Sequence, residues 1–222
     1  MKNLLKLLVC ASLIFNFQFS ILNSLQAQNG RHSQGRLDEN ATEALKKAEK
    51  RLLDVSGTVT LTMLDSHKKQ TAKQSAKVQY CRGMYHLTMS NQEIYCDGTT
   101  IWQWNKEAKE IVINNMPPAS DIDLLNPGRL IANYAKNFRV KYIRSDNDGS
   151  AVIDMQPRSA QSYHKIRLFV NEETGELKRR EVHKYDSSRE IYEFSGMSYS
   201  PIKGSFTFNP ADHPEAEVID MR

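Results

Sequence analysis

The sequence lacks the short motifs that identify most enzymes and metalloproteins. It has no His-Glu-x-x-His, Gly-x-Ser-x-Gly, Cys-x-x-Cys or phosphate-loop motif, and no glycine-rich dinucleotide motif. The histidines are scattered along the chain: His32, His67, His86, His164, His183 and His213. We therefore expect no catalytic residue, no metal site and no cofactor, and a protein that is not an enzyme.

The sequence also has little excess charge of either sign. Its formal net charge is +4 over 222 residues, and loss of Lys2 and Lys6 with an N-terminal leader would lower this to +2. A bias this small does not favour nucleic acid as a partner. Beyond residue 27, no apolar run approaches the roughly 20 residues that a membrane-spanning helix needs.

The one long apolar run lies at the N-terminus. It extends from Leu4 to Phe19 beside Lys2 and Lys6, and Ala27 supplies a small residue suited to signal-peptidase cleavage. This pattern predicts that residues 1–27 are a signal peptide. A membrane anchor is the alternative, although Asn16 and Gln18 interrupt the run. The leader cysteine, Cys10, lacks the preceding small residue of a lipoprotein signal. Residues 28–37 are expected to be a flexible N-terminal segment.

Only two cysteines follow the leader. In a simple meander, Cys81 and Cys96 lie two strands apart, about 9.5 Å across the intervening strand. This exceeds the roughly 7 Å limit between the Cα atoms of a disulfide. The spacing therefore favours free thiols, with a disulfide as the alternative.

Residues 38–222 read as one domain with a helix followed by strands. Apolar residues recur at three- and four-residue spacing from Ala41 to Leu52, which predicts an amphipathic helix, and Asn40 followed by Glu43 reads as its start. From Val55 the period changes to two, and about eleven short strands follow. A helical insert, residues 121–137, interrupts them.

One predicted hairpin carries both tryptophans. Ile94 to Cys96 and Thr99 to Trp104 meet at Asp97-Gly98, a dipeptide typical of a tight turn. Because side chains alternate along a strand, Trp102 and Trp104 point to the same face. These bulky side chains either fill a core or line a cavity, and the pattern leaves both readings open.

Several segments together resemble the outer-membrane lipoprotein carrier family (LolA-like), and particularly its Bacteroidetes-type members. They are Val55-Ser-Gly-Thr-Val-Thr60, Tyr85-His-Leu-Thr-Met89, Asp97-Gly-Thr-Thr-Ile-Trp102 and Phe206-Thr-Phe208. The resemblance covers nearly all of residues 38–222, which would form a single lipoprotein-carrier-like domain. It implies a mainly β fold with helices (α+β). The sheet would be an incomplete antiparallel β-barrel of about eleven strands, with a helical cover over a hydrophobic cavity.

The same resemblance implies a function. The protein would be a monomeric periplasmic carrier that binds the acyl chains of lipoproteins and shuttles them from the inner to the outer membrane. Its partners would be acylated lipoproteins, an inner-membrane lipoprotein-releasing ABC transporter and an outer-membrane acceptor. The alternative is a periplasmic sensor or scaffold of the same fold that binds another lipid or a protein.

The resemblance also implies the location of the site. Arg82 matches an arginine associated with holding the helical cover closed, and the alternative is a solvated strand-end arginine. The expected residues of the acyl-binding cavity are Leu61, Met63, Leu87, Met89, Trp102, Trp104, Leu124, Leu130, Ile131 and Tyr134.

Overall fold

The computed structural model describes residues 38–52, 54–116, 131, 134–202 and 204–222. The predicted signal peptide and N-terminal segment, together with Leu124 and Leu130 of the helical insert, lie outside the described residues. Within the described ranges, none of the helices has the length and apolar character needed to cross a membrane.

The predicted amphipathic helix is confirmed as α1, Glu39–Arg51. Its apolar stripe is buried and consists of Ala41, Ala44, Leu45 and Ala48. The N-cap is Asp38, two residues before the Asn40 cap that we expected. The Asp38 carboxylate accepts a hydrogen bond from the backbone N–H of Ala41 at 3.2 Å, which satisfies one of the unpaired donors of the first turn.

The described residues form twelve strands and a second, short helix, α2 (Tyr134–Asn137), which precedes β7. The strands are β1 (Asp54–Leu64), β2 (Gln70–Cys81), β3 (Met84–Thr88), β4 (Gln92–Cys96), β5 (Thr100–Asn105), β6 (Glu110–Asn115), β7 (Phe138–Ser145), β8 (Ser150–Pro157), β9 (Tyr163–Asn171), β10 (Leu177–Lys184), β11 (Arg189–Ser198) and β12 (Glu217–Asp220).

All twelve strands belong to one sheet, in the order β12-β6-β5-β4-β3-β2-β1-β11-β10-β9-β8-β7. Neighbouring strands are antiparallel except β12, which pairs in parallel with β6. Because β7 and β12 are at opposite ends of this order, the sheet does not close. The predicted mainly β, incomplete antiparallel barrel is therefore confirmed, with one strand more than the eleven expected.

The hydrophobic core lies on one face of the sheet, which we call the inner face and on which α1 packs. One row of residues crosses this face from β1 to β8: Leu61, Tyr192, Arg180, Leu168 and Ile153. Leu168 and Ile153 are completely buried. The opposite side of the sheet is called the outer face.

Polar contacts fix α1 at the β7 end of the inner face. The second carboxylate oxygen of Asp38 accepts a hydrogen bond from the Tyr142 backbone N–H at 2.9 Å, and Lys47 Nζ donates to the Glu172 carbonyl at 2.9 Å. Gly175, in the β9–β10 turn, has a φ of 73° and would place a Cβ atom 2.7 Å from the Lys47 carbonyl carbon. Only glycine permits so close an approach.

Two expectations about turns and cysteines can be compared directly with the structure. Within the described residues Cys81 and Cys96 form no disulfide, as predicted, and they lie on β2 and β4 with β3 between them. The β4–β5 turn differs from the expected Asp97-Gly98 turn. Gly98 has a positive φ, of 95°, whereas Asp97 accepts hydrogen bonds from the Thr99 and Thr100 backbone N–H groups at 2.8 Å. The aspartate thus stabilises the turn through its side chain.

Candidate functional site

The inner face carries an apolar region that the core does not fully bury. We define the inner patch as Val59, Leu61, Met63, Met89 and Phe194, which are all half-buried. Val59 lies opposite Phe194 on β11, and Leu61 lies opposite the buried Tyr192. Together they form a partly exposed apolar surface that is continuous with the core and is suited to contact with an apolar ligand.

The structure brings together most of the described residues that were expected to line a cavity. Leu61 and Met63 share the inner face of β1, and Leu87 lies on the same face of β3 at 5% exposure. Ile131 and Tyr134 are buried in the core cluster on this face. Leu124 and Leu130 lie outside the described residues.

The two tryptophans do not share this face, which corrects the sequence expectation. Trp102 lies opposite Tyr95 and Ile113 on the outer face. The inner position of this hairpin belongs to Ile101, which lies opposite the completely buried Cys96. Since alternate residues of a strand point in opposite directions, placing Ile101 inward turns both tryptophans outward.

An aromatic cluster on the outer face accounts for Trp104. Its ring lies 3.9 Å from the His213 ring and 5.9 Å from the Phe208 ring. Phe208 and His213 are stacked at 5.0 Å, and Phe208 also lies 5.2 Å from Tyr95. We call Tyr95, Trp104, Phe208 and His213 the outer aromatic cluster. It attaches the C-terminal segment, which continues into β12, to the outer face.

Glu93 lies beside this cluster and is held by three donors. Its carboxylate contacts Lys106 Nζ at 2.6 Å and His86 Nε2 at 3.0 Å, and it accepts a hydrogen bond from the Tyr95 hydroxyl at 2.6 Å. Burial acts to raise the pKa of Glu93, but the hydrogen bonds from Lys106, Tyr95 and His86 outweigh it and lower the pKa to about 2. A carboxylate so well satisfied has a structural role on this face.

Arg82, the expected cover-gating residue, lies in the β2–β3 turn. It is exposed and has a φ of 47°, and Gly83 beside it has a φ of 99°. Two successive positive φ angles are typical of a tight two-residue hairpin. The turn adjoins Cys81, which lies opposite Asp54 at the start of β1. Arg82 is therefore at the end of the sheet where the chain enters from α1.

Sequence reasoning missed a group of buried polar side chains on the inner face. Arg180 is 1% exposed, and its guanidinium lies 3.9 Å from the centre of the Tyr192 ring. The Tyr192 hydroxyl donates to Glu190 at 3.0 Å. Glu190 is 2% exposed and also forms an ion pair with Lys184. A buried arginine next to an apolar patch is uncommon and is more informative than an exposed one.

A β-bulge explains why alternation did not reveal Arg180. Leu177 pairs with Val170 and Arg179 pairs with Phe169, so that Lys178 is an extra residue in β10. Leu177 points inward, and without the bulge Arg179 would share its face. The bulge shifts the alternation by one residue and turns Arg180 inward instead.

Tyr163 contributes a further polar atom to the same region. The side chain is 3% exposed, and its hydroxyl has no hydrogen-bond partner within the described part of the chain. Burial raises the pKa of Tyr163, while the nearby Arg180 guanidinium acts in the opposite direction. Burial also raises the pKa of Tyr192, again opposed by Arg180. Both phenols therefore stay neutral and can donate a hydrogen bond.

Comparisons with known proteins establish the fold alone. No family model matches this sequence, and no curated protein matches it. An uncharacterised conserved protein from Thermus thermophilus is similar in structure, with a TM-score of 0.54 and 11% identity over 82% of this chain and 99% of that one.

Two further solved structures have lower scores. A LolA superfamily protein from Nitrosomonas europaea gives a TM-score of 0.39 with 11% identity, over 73% of this chain and 94% of that one. The lipoprotein LppX from Mycobacterium tuberculosis gives 0.44 with 13% identity, over 75% of this chain and 98% of that one. The Thermus protein thus shares the fold of this chain over nearly its whole length.

Proposed function

We propose that this protein is a carrier that binds acyl chains on the inner face of its sheet. The observation that carries the proposal is the inner patch. Five apolar side chains, on β1, on β11 and directly after β3, are half-buried there, and Val59, Leu61, Met89 and Phe194 pack against the buried core of the same face. An acyl chain bound against these side chains would remove their remaining apolar surface from water.

The free energy of transfer makes such a carrier necessary for a lipid that crosses water. Burying acyl chain is worth roughly 0.8 kcal/mol per methylene. A single chain of about sixteen carbons therefore resists transit through water by more than about 10 kcal/mol. A protein that covers the chain removes most of this barrier without any chemical step. We accordingly propose a binding role for this protein and no catalytic one.

The cellular setting follows from the sequence pattern and belongs to the same proposal. A cleavable signal peptide at residues 1–27 would export the chain to the periplasm. The cargo would be acylated lipoproteins, received from an inner-membrane releasing transporter and passed to an acceptor at the outer membrane. Arg82, at the end of the sheet nearest α1, would control the opening of the cover.

A matched pair of variants tests the proposal. Val59→Asn with Leu61→Asn places polar side chains in the inner patch, whereas Thr60→Asn with Thr62→Asn changes the other face of the same strand. A titration with a fluorescent fatty acid measures the dissociation constant. We expect the inner-face variant to bind at least about tenfold more weakly, since two apolar contacts of about 1 kcal/mol each are lost. The outer-face variant should bind within about twofold of the wild type.

Two results would contradict the proposal. One is an equal loss of affinity in both variants, which would remove the inner face from the binding surface. The other is the absence of any acyl species, either co-purified and detected by native mass spectrometry or bound from added lipid.

A further inference from the structure

The lysines of the β1–β2 turn lie at one end of the sheet. Turn 65–69 follows β1, and β1 pairs with β11 as far as Arg189, so turn 185–188 lies at the same end. We call the end formed by these two turns the basic end. Lys68 and Lys69 are exposed there, and none of the described residues forms an ion pair with either. Two positive charges therefore face solvent at this end.

The carboxylate of the β1–β2 turn is held within the turn. One oxygen of Asp65 accepts hydrogen bonds from the backbone N–H groups of His67 and Lys69, each at 2.9 Å. The Asp65 carbonyl accepts another from the Lys68 N–H at 2.9 Å. Such bonds fix the backbone of a turn, so the two lysines have defined positions. Lys73 on β2 adds a third exposed ammonium group nearby.

The second turn of the basic end presents an aromatic ring. Tyr185 is 70% exposed, more than any other large hydrophobic side chain of the described residues. Asp186 in the same turn accepts hydrogen bonds from the Ser188 hydroxyl and N–H groups, at 2.6 and 2.9 Å. Tyrosine is enriched where proteins meet the interface between membrane and water, because its ring is apolar and its hydroxyl polar. Lysines beside an exposed tyrosine therefore suit contact with a lipid bilayer.

The inner patch extends towards the basic end. Val59, Leu61 and Met63 are successive inner-face residues of β1, and Met63 lies two residues, or about 7 Å, before Asp65 of the turn. On the other side of the hairpin, β3 pairs with β2 only from Lys77 onwards. The β1–β2 hairpin thus projects beyond β3. An acyl chain that leaves the patch along β1 therefore emerges beside the lysines of the turn.

The opposite end of the sheet carries the opposite charge. Turns 146–149 and 172–176 lie there, and we call this the acidic end. These turns contain five carboxylates. Ion pairs join Arg144 to one of them and Lys178 to another. A negatively charged surface repels the acidic end and attracts the basic end, so it orients the protein with the basic end towards the surface.

We propose that the basic end docks on a bilayer that contains anionic phospholipid, with Lys68 and Lys69 at the lipid phosphates and Tyr185 among the head groups. This inference rests on the proposed function and deepens it, because it names the surface at which an acyl chain enters or leaves the inner patch. In this orientation the chain passes between the bilayer and Met63 without crossing bulk water.

Sedimentation with vesicles tests the docking surface. The full-length mature protein is mixed with vesicles of phosphatidylcholine, or with vesicles in which part of this lipid is replaced by phosphatidylglycerol. Each lysine near an anionic surface strengthens binding about fivefold. We therefore expect binding to the anionic vesicles to be at least about tenfold stronger, and to weaken as the salt concentration rises.

A matched pair of variants locates the surface. Lys68→Gln with Lys69→Gln removes two charges from the basic end and should weaken binding to anionic vesicles about tenfold or more. Lys46→Gln with Lys50→Gln removes two exposed charges from α1 near the acidic end, and should change this binding less than about twofold. Tyr185→Ser keeps the net charge and should weaken binding several-fold, because the ring no longer enters the head-group region.

Transfer of a fluorescent fatty acid from the protein to vesicles connects docking with cargo exchange. If transfer occurs in the docked state, its rate rises with vesicle concentration and with the content of phosphatidylglycerol. The Lys68→Gln, Lys69→Gln protein should lose the dependence on phosphatidylglycerol. Its affinity for the fatty acid in solution should stay unchanged, because neither lysine belongs to the inner patch.

The outcomes separate this inference from the proposed function. Equal weakening in both lysine variants, or equal binding to both kinds of vesicle, overturns the docking surface while acyl binding stands. Absence of vesicle binding also overturns it, and leaves an acidic protein as the partner of the basic end. If the protein docks through Lys68 and Lys69 but binds no fatty acid, the docking surface stands and the proposed function fails.

Discussion

Replacing Trp104 with alanine should destabilise the protein and leave acyl binding unchanged. Trp104 is half-buried on the outer face and contacts the rings of Phe208 and His213. Truncating a fully buried tryptophan costs about 3–5 kcal/mol, and half burial reduces this to about 2 kcal/mol. The lost aromatic contacts add about 1 kcal/mol. The free energy of unfolding should therefore fall by about 3 kcal/mol.

The matched variant on the opposite face is Phe194→Ala. Phe194 is also a half-buried aromatic residue, but it belongs to the inner patch. Urea denaturation measures stability, and a fatty-acid titration measures affinity. We expect Phe194→Ala to raise the dissociation constant about tenfold, because it removes roughly 1–2 kcal/mol of contact with the chain. Trp104→Ala should change that constant less than about twofold.

One result would refute this reasoning. If folded Trp104→Ala protein lost more than about tenfold in acyl affinity while Phe194→Ala lost none, the ligand would lie on the outer face. The assignment of the inner patch as the binding surface would then be wrong. The titration is repeated at a temperature where the variant is fully folded. A loss of affinity caused by unfolding disappears at that temperature.

Three further predictions concern other parts of the molecule. Because the pKa of Glu93 is about 2, below the usual 4.5, its stabilising effect is present above pH 4.5 and is lost as the pH falls towards 2. Glu93→Gln should thus lower the free energy of unfolding, measured by urea denaturation, by about 2 kcal/mol at pH 7 and by little near pH 2. A loss of stability that does not depend on pH would contradict this. Gly175→Ala should lower the thermal midpoint more than Gly196→Ala. Both glycines have positive φ angles, but only at Gly175 would the added Cβ atom meet a backbone atom, 2.7 Å from the Lys47 carbonyl carbon. Equal falls in the thermal midpoint would therefore argue against that contact. Arg82→Leu should slow the release of acyl cargo to acceptor vesicles more than it slows uptake, and equal effects on both rates would remove Arg82 from the mechanism.

The helix and strands that were correctly predicted are those whose patterns involve residues close together in the sequence. The stripe from Ala41 to Ala48 specified α1, because residues three and four apart share one helix face. Alternation from Val59 to Met63 likewise specified β1. The meander order kept Cys81 and Cys96 on strands that do not touch. The helix and strand patterns repeat every two to four residues, so they can be read without knowing any contact between distant residues.

The candidate site was predicted less completely. The structure places Leu61, Met63, Leu87 and Met89 on one face. Alternation predicts that Leu61 and Met63 share a face, and likewise Leu87 and Met89, but the register between β1 and β3 is needed to show that the two pairs share it. The resemblance implies that Trp102 and Trp104 line the same cavity, whereas the structure places both on the outer face. The outer aromatic cluster provides a second environment that buries such side chains, and its partner Phe208 is more than 100 residues away in the chain.

Sequence by itself determined the amphipathic helix α1 and about eleven strands with their succession along the chain, but not the pairing of β1 with β11. Tertiary structure decided which side of each strand turns inward. Alternation has two phases, and a local pattern does not distinguish them when both faces carry apolar residues. The bulge at Lys178 reverses the phase within one strand and places Arg180 beside Tyr192. The return of the C-terminus as the parallel strand β12 likewise depends on contacts between distant residues, which a one-dimensional pattern does not contain.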